Sequence, residues 1–278
     1  MDALFFILLA LGIVQGIAEF LPISSSGHLV ILENIPFIKA SLESLGEGSL
    51  LFINVALHVA TLAGVVIFLW KDIVSLVKGI TISVVQKNAG SPAMKTAFNI
   101  IAASLPAGII GVLFNDFFEG IFSTSLYAFI CLILNGFILI ATKKISIHNR
   151  QIAELGLTRS VIVGFFQAFA ILPGISRSGM TIAGGLLSGM EPVQAARFSF
   201  LMAIPVIAGA GLVEGIKAAQ GSFPAELYLP LAIAMAVTIA VSLGAMKVLF
   251  YIVKRVRLDL FGYYTIAVGV AGLIIYCL

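Results

Sequence analysis

The stretch ALFFILLALGIVQGIAEFLPISSSGHLVILE, residues 3–33, decides the fold. It is apolar toward both ends and broken in the middle, from Pro22 to Gly27. A spanning helix needs about 20 mostly apolar residues, and each half of this stretch is shorter. Backbone that leaves the helix at membrane depth survives only where protein or water satisfies its polar groups. Residues 3–33 therefore read as a re-entrant helix pair around a polar turn. Residues 158–191 repeat the pattern, broken from Pro173 to Gly179.

Working outward, six uninterrupted apolar runs qualify as spans: 50–70, 98–114, 124–142, 195–216, 228–248 and 258–278. Of the 278 residues, 60% are hydrophobic and 10% charged, against roughly 25% charged in ordinary soluble domains. With a mean hydropathy of +1.15, the chain must use the bilayer as its solvent. No Lys/Arg cluster is interleaved with aromatic residues, which speaks against nucleic acid as a partner. Cys131 and Cys277 lie far apart with no metal-binding or redox spacing. Met1-Asp2 is not the basic start of a signal peptide, so the first apolar run reads as mature structure.

Charge alternates between the connecting segments. Segments 71–97, 143–159 and 247–257 carry Lys71, Lys78, Lys87, Lys95, Lys143, Lys144, Arg150, Arg159, Lys247, Lys254, Arg255 and Arg257. The others are acidic or balanced, with Glu33, Glu43, Glu47, Asp116, Glu119 and Glu226. Basic loops stay cytoplasmic, which places both termini outside. The two broken stretches also match each other: Gly12-Ile-Val-Gln15 with Gly164-Phe-Phe-Gln167, and Pro22 before Ser24 to Gly27 with Pro173 before Ser176 to Gly179. The reading is an all-α, polytopic membrane protein forming one domain over residues 1–278. Repeat one covers about 1–142 and repeat two about 158–278, joined by a cytoplasmic loop at 143–157. Each repeat has an odd number of spans, so the second is inverted, and such folds place their polar site near the midplane.

The polar residues of the breaks carry the chemistry. Gln15 and Glu19 are four apart and share a helix face; a carboxylate inside an apolar run is a functional candidate by default. A short helix starting near Ser24 would present its amides and positive end to an anion. Ser25 and His28 share a face, and a serine needs a neighbouring base to act as a nucleophile. Capping of the helix is the plainer role for Ser24. In the second break Arg177 is the one strong cation, suited to bidentate phosphate binding. Ser24, Ser26, Gly27, Ser176, Ser178, Gly179 and Thr181 complete a candidate phosphate cradle. By the repeat, Ser25 corresponds to Arg177 and His28 to Met180. Glu19, helped by Gln15, either binds a divalent cation bridging the phosphates or orients His28. His58 reads as a structural histidine inside a span. Asn54, Asn99 and Asn135 read as interhelical hydrogen-bonding residues, and Gly12/Gly16, Gly185/Gly189 and Gly211/Gly215 as close-packing positions, within the chain or in a homodimer.

The sequence Gln15-Gly-Ile-Ala-Glu19-Phe-Leu-Pro22-Ile-Ser24-Ser25-Ser26-Gly27-His28-Leu29, with Pro173-Gly-Ile-Ser-Arg177-Ser-Gly179 and Leu57-His-Val-Ala-Thr-Leu62, resembles the bacterial undecaprenyl-diphosphate phosphatases, first named for bacitracin resistance. The resemblance covers nearly the whole chain. It implies an enzyme of the inner membrane that removes the terminal phosphate of a polyprenyl diphosphate, recycling a lipid carrier for cell-wall synthesis. It further implies catalytic roles for Glu19, Ser25, His28 and Arg177, a site open to the external face, and help from Mg2+ or Ca2+. Ser25, Ser26 or an activated water stay open as the nucleophile. A polyprenyl-phosphate translocase on the same fold is the alternative, since inverted repeats with broken helices also build transporters.

Overall fold

The computed structural model describes residues 2–46, 48–114, 125–218 and 223–277. Among them the protein is all-α. The first broken stretch is helix α1 (Asp2–Ala18), a turn, and α2 (Ser25–Glu33). Helices α3 (Pro36–Glu43), α4 (Ser49–Phe68), α5 (Trp70–Val85), α6 (Pro92–Leu113) and α7 (Ser125–Ala141) follow. The second broken stretch is α8 (Leu157–Phe169), a turn, and α9 (Arg177–Leu187). Helices α10 (Pro192–Ala218), α11 (Tyr228–Val253) and α12 (Asp259–Cys277) close the chain. Six of these, α4, α6, α7, α10, α11 and α12, are long and apolar enough to cross a membrane. They are the six runs expected from the sequence, and the protein is a multi-pass membrane protein.

Two boundaries move for local reasons. Helix α6 begins six residues before the expected run because Ser91 caps it, accepting from the Met94 amide, and Pro92 occupies the first turn. Helix α11 runs past Lys247, whose side chain is exposed, so its charge does not end the helix. Segment 71–97, read as a basic connection, is largely the amphipathic helix α5, which follows α4 after a single non-helical residue, Leu69. Helix α3 is likewise an element that the sequence reading lacked. Glu47, Asp116 and Glu119 of the acidic segments lie outside the described residues.

The packing is reciprocal. Helix α1 lies against α11, and α8 lies against α6; α4 meets α10, and α7 meets α12. Small residues permit the close approaches. A Cβ on Gly136 would come 2.5 Å from the Gly262 carbonyl, and one on Gly262 would come 2.6 Å from the Gly136 carbonyl. Gly12 and Gly16 press on Ala234 and Thr238 of α11, and Gly211 and Gly215 approach Val59 and Val55 of α4. These spacings serve contacts within the chain.

The basic segments converge at one end. Buried Asp259, at the start of α12, is paired with Lys143 at 2.9 Å and Arg257 at 3.2 Å. Asn99 donates to the Ile152 carbonyl at 2.8 Å, and Asp72 pairs with Arg197 at 2.9 Å. Asn99 thus ties a span to the 143–157 connection, while Asn54 donates to Glu33 of α2.

Candidate active site

The two breaks are built alike. Ser24 caps α2, accepting from the Gly27 amide at 3.2 Å; Ser176 caps α9, accepting from the Gly179 amide at 3.1 Å. Ser26 lies 3.3 Å from the Ser24 hydroxyl, and Ser178 lies 3.1 Å from the Ser176 hydroxyl. The first residue of each helix, Ser25 in α2 and Arg177 in α9, takes no part in these cap contacts. The caps differ in backbone. Ser24 has φ 71°, a left-handed conformation that disfavours a side chain, whereas Ser176 has φ −82°.

Glycines bring the breaks into contact. A Cβ on Gly27 would fall 2.9 Å from Gly174 Cα, and one on Gly179 would fall 3.1 Å from Pro22. Gly174 itself has φ 95°. Asn135, from α7, holds both breaks: its amide donates to the Pro22 carbonyl at 3.1 Å, and its oxygen accepts from the Ser176 amide at 3.0 Å. Thr181, fully buried, lies 2.6 Å from the Ser199 hydroxyl and ties α9 to α10.

Glu19 is the centre of the assembly. One carboxylate oxygen, Oε1, accepts from the Arg177 guanidinium, 158 positions away in sequence. The other, Oε2, accepts from the Ser25 hydroxyl at 2.6 Å and from the Gln15 amide at 3.1 Å. Glu19 is buried while Ser25 is part-exposed, so the hydroxyl lies on the accessible side of the carboxylate. A short hydroxyl–carboxylate bond is the strong, charge-assisted kind. Nucleophile, base and a third group orienting the base are the components of hydroxyl activation.

Gln15, Glu19, Ser25 and Arg177 thus come together, with the caps Ser24 and Ser176 behind them. His28 points elsewhere. Its Nδ1 donates to the Ser24 carbonyl at 2.8 Å, and its Nε2 accepts from the Tyr264 hydroxyl at 2.9 Å. The two rings stack, with centroids 5.7 Å apart and planes 4° apart. Two residues that sequence reasoning did not place join the region. Tyr264 is one, and nothing in its surroundings along the chain marks it. His58 is the other: its Nδ1 donates to Asn54 in its own helix, and its Nε2 stands 3.9 Å from Glu19 Oε2. An ionisable side chain inside an apolar span was the available signal for it.

Glu19 and Gln15 could hold a divalent cation. Gln15 is fully buried, and its side-chain oxygen has no hydrogen-bond partner. Mg2+ is commonly held by one or two carboxylates, with water and substrate phosphates filling the remaining positions. This donor set fits that pattern.

The family model described as "Bacitracin resistance protein BacA" matches residues 8–271. A protein named undecaprenyl-diphosphatase from Methanosphaera stadtmanae is 35% identical over 275 residues, covering 95% of each chain. One of the same name from Halothermothrix orenii is 37% identical over 265 residues, again 95% of each. A third, from Moorella thermoacetica, is 42% identical over 209 residues, 74% of each.

Proposed function

The chain belongs to the Bacitracin resistance protein BacA family, and from that premise we propose that it hydrolyses undecaprenyl diphosphate to undecaprenyl phosphate and inorganic phosphate. The observation that carries the reading is the Ser25–Glu19–Arg177 assembly, contributed by both breaks. Ser25 Oγ attacks the terminal phosphorus as its proton passes to Glu19 Oε2. The bond to the bridging oxygen breaks, and the lipid monophosphate leaves. Water then attacks the phosphoserine, inorganic phosphate departs, and Glu19 returns the proton to Ser25. The 2.6 Å bond favours Glu19 over His28 as the group that takes the Ser25 proton. Arg177 and the first-turn amides of α2 and α9 face the charge of the phosphates. Phosphoryl transfer asks for positioning and charge stabilisation above all. A divalent cation at Glu19 and Gln15 would neutralise the diphosphate and polarise its oxygens.

Orientation and tail placement belong to the same proposal. The gathering of Lys143, Arg257 and the other basic residues at one end supports a cytoplasmic position for that end in the inner membrane. The reciprocal packing of α1 on α11 and α8 on α6 supports the inverted repeat. An apolar groove of about 530 Å³, lined by Ile138, Phe165, Phe169, Met180, Ala183 and Leu187, begins one turn beyond Arg177 on α9. Residues 177, 180, 183/184 and 187 form one stripe of that helix. The groove therefore lies along the helix that carries Arg177 at its start, where an isoprenoid tail would run. Ala183→Trp is expected to raise KM about tenfold for the long-chain substrate and to leave a one-isoprene diphosphate unaffected. Equal effects on both substrates would remove the tail from this groove.

The direct test is phosphate release by purified protein, wild type beside Arg177→Lys. Lysine keeps the charge but loses the fork that can hold Glu19 and a phosphate together, so turnover should fall roughly 100-fold. Near-normal turnover would rule out the shared guanidinium. The Ser25–Glu19 bond also favours hydrolysis over the translocase reading, which requires no nucleophile. A homodimer would use surfaces other than the glycine seams, which are filled within the chain.

A further inference from the structure

The tautomer of His58 can be read from its neighbours. Nδ1 lies 2.8 Å from the Asn54 carbonyl, one turn earlier in α4. A carbonyl only accepts, so Nδ1 carries the proton. Nε2 is the ring nitrogen left for a second partner. Facing it, 3.9 Å away, is Glu19 Oε2, at a separation too long for a hydrogen bond. The gap leaves about 2 Å on either side of its midpoint, which is a metal–donor distance.

A third donor stands close by. Gln15 donates through its amide nitrogen to that same Glu19 Oε2 at 3.1 Å, and its own oxygen is buried with no partner. Arg177 occupies the opposite carboxylate oxygen, Oε1, so the cation would join Ser25 and Gln15 at Oε2 rather than compete with the guanidinium.

We propose that His58 Nε2, Glu19 Oε2 and Gln15 Oε1 form the protein side of a divalent-cation seat, with His58 as the donor that selects the ion. An octahedral ion held by three protein donors keeps three positions for water and for substrate phosphate oxygens. One imidazole with two oxygens shifts preference away from Ca2+, which takes oxygen ligands, toward the transition-series ions, for which Mn2+ serves as the probe. The seat deepens the proposed phosphatase reading. The use of the ion rests on that reading; its binding does not.

The test is Mn2+ binding by the purified chain in detergent, followed by electron paramagnetic resonance. Pulsed spectra should show nitrogen-14 modulation from a coordinated imidazole in wild type and in His28→Ala. The modulation should vanish in His58→Ala, with Mn2+ bound at least roughly tenfold more weakly. His58→Gln guards against a folding defect: it supplies an amide oxygen, so Mn2+ should still bind, without the imidazole signal. Bound Mn2+ lacking imidazole modulation in wild type would overturn the seat, as would modulation that survives both His58 variants. Absence of Mn2+ binding by wild type would overturn it too. Phosphate release is measured separately, so loss of the seat leaves the phosphatase reading standing.

Discussion

Ser25→Ala is expected to lower phosphate release from undecaprenyl diphosphate by about 10⁴-fold or more, the scale on which a nucleophile's removal is felt in hydroxyl-based enzymes. The fold should not register the change, because Ser25 does not cap α2; Ser24 does. Its hydroxyl bonds to Glu19 at 2.6 Å, and the variant leaves that carboxylate still held by Arg177 and Gln15. Ser26→Ala is the internal comparison. Ser26 lies against Ser24 rather than Glu19, and its loss should cost less than about tenfold. If Ser25→Ala keeps a tenth or more of the activity, water is the nucleophile and Glu19 its base. If the two serine variants exchange their effects, Ser26 is the nucleophile.

The second large effect is that of Glu19→Gln, which keeps shape and removes charge. Turnover should fall by roughly 10⁴-fold, because an amide cannot take the Ser25 proton. Stability should fall as well. The Arg177 side chain is only 16% exposed, and a mostly buried cation stripped of its partner costs about 3–5 kcal/mol. Thermal unfolding in the same detergent measures that loss. The double variant Glu19→Gln with Arg177→Met should recover most of the stability and none of the activity, because removing the stranded charge relieves the penalty. A single variant as stable as wild type would mean that water, rather than Glu19, solvates the guanidinium.

What the sequence made legible was local. Six apolar runs gave six spans, and two proline-bearing interruptions gave two helix breaks, because hydropathy and helix-breaking are properties of neighbouring residues. Ser24 could be read as a cap for the same reason, and Ser176 caps α9 in the equivalent place. The pairing of Glu19 with Arg177 was accessible only as chemistry, since nothing along the chain gives the distance between residues so far apart. His28 shows the limit. Its three-residue spacing from Ser25 promised a serine–histidine pair, but its ring turns to Tyr264 on α12, a helix that local spacing cannot bring into view. His58 read as a structural residue because its Nδ1 bond is within its own helix, while its other nitrogen faces Glu19, in the turn after α1. Helices α3 and α5 were missed because their charged residues interrupt the apolar run, and an amphipathic helix shows its stripe only once wound.

Asn135 sets a mechanical condition on the whole molecule. It is a shear pin between the two breaks: its amide nitrogen holds the Pro22 carbonyl, and its oxygen holds the Ser176 amide. Any rocking that separated the two breaks would have to cut both bonds, and Asn135 is fully buried. The register of the breaks and their resistance to rocking therefore reside in the same amide group. A variant that frees this pin would trade a fixed register of the breaks for mobility.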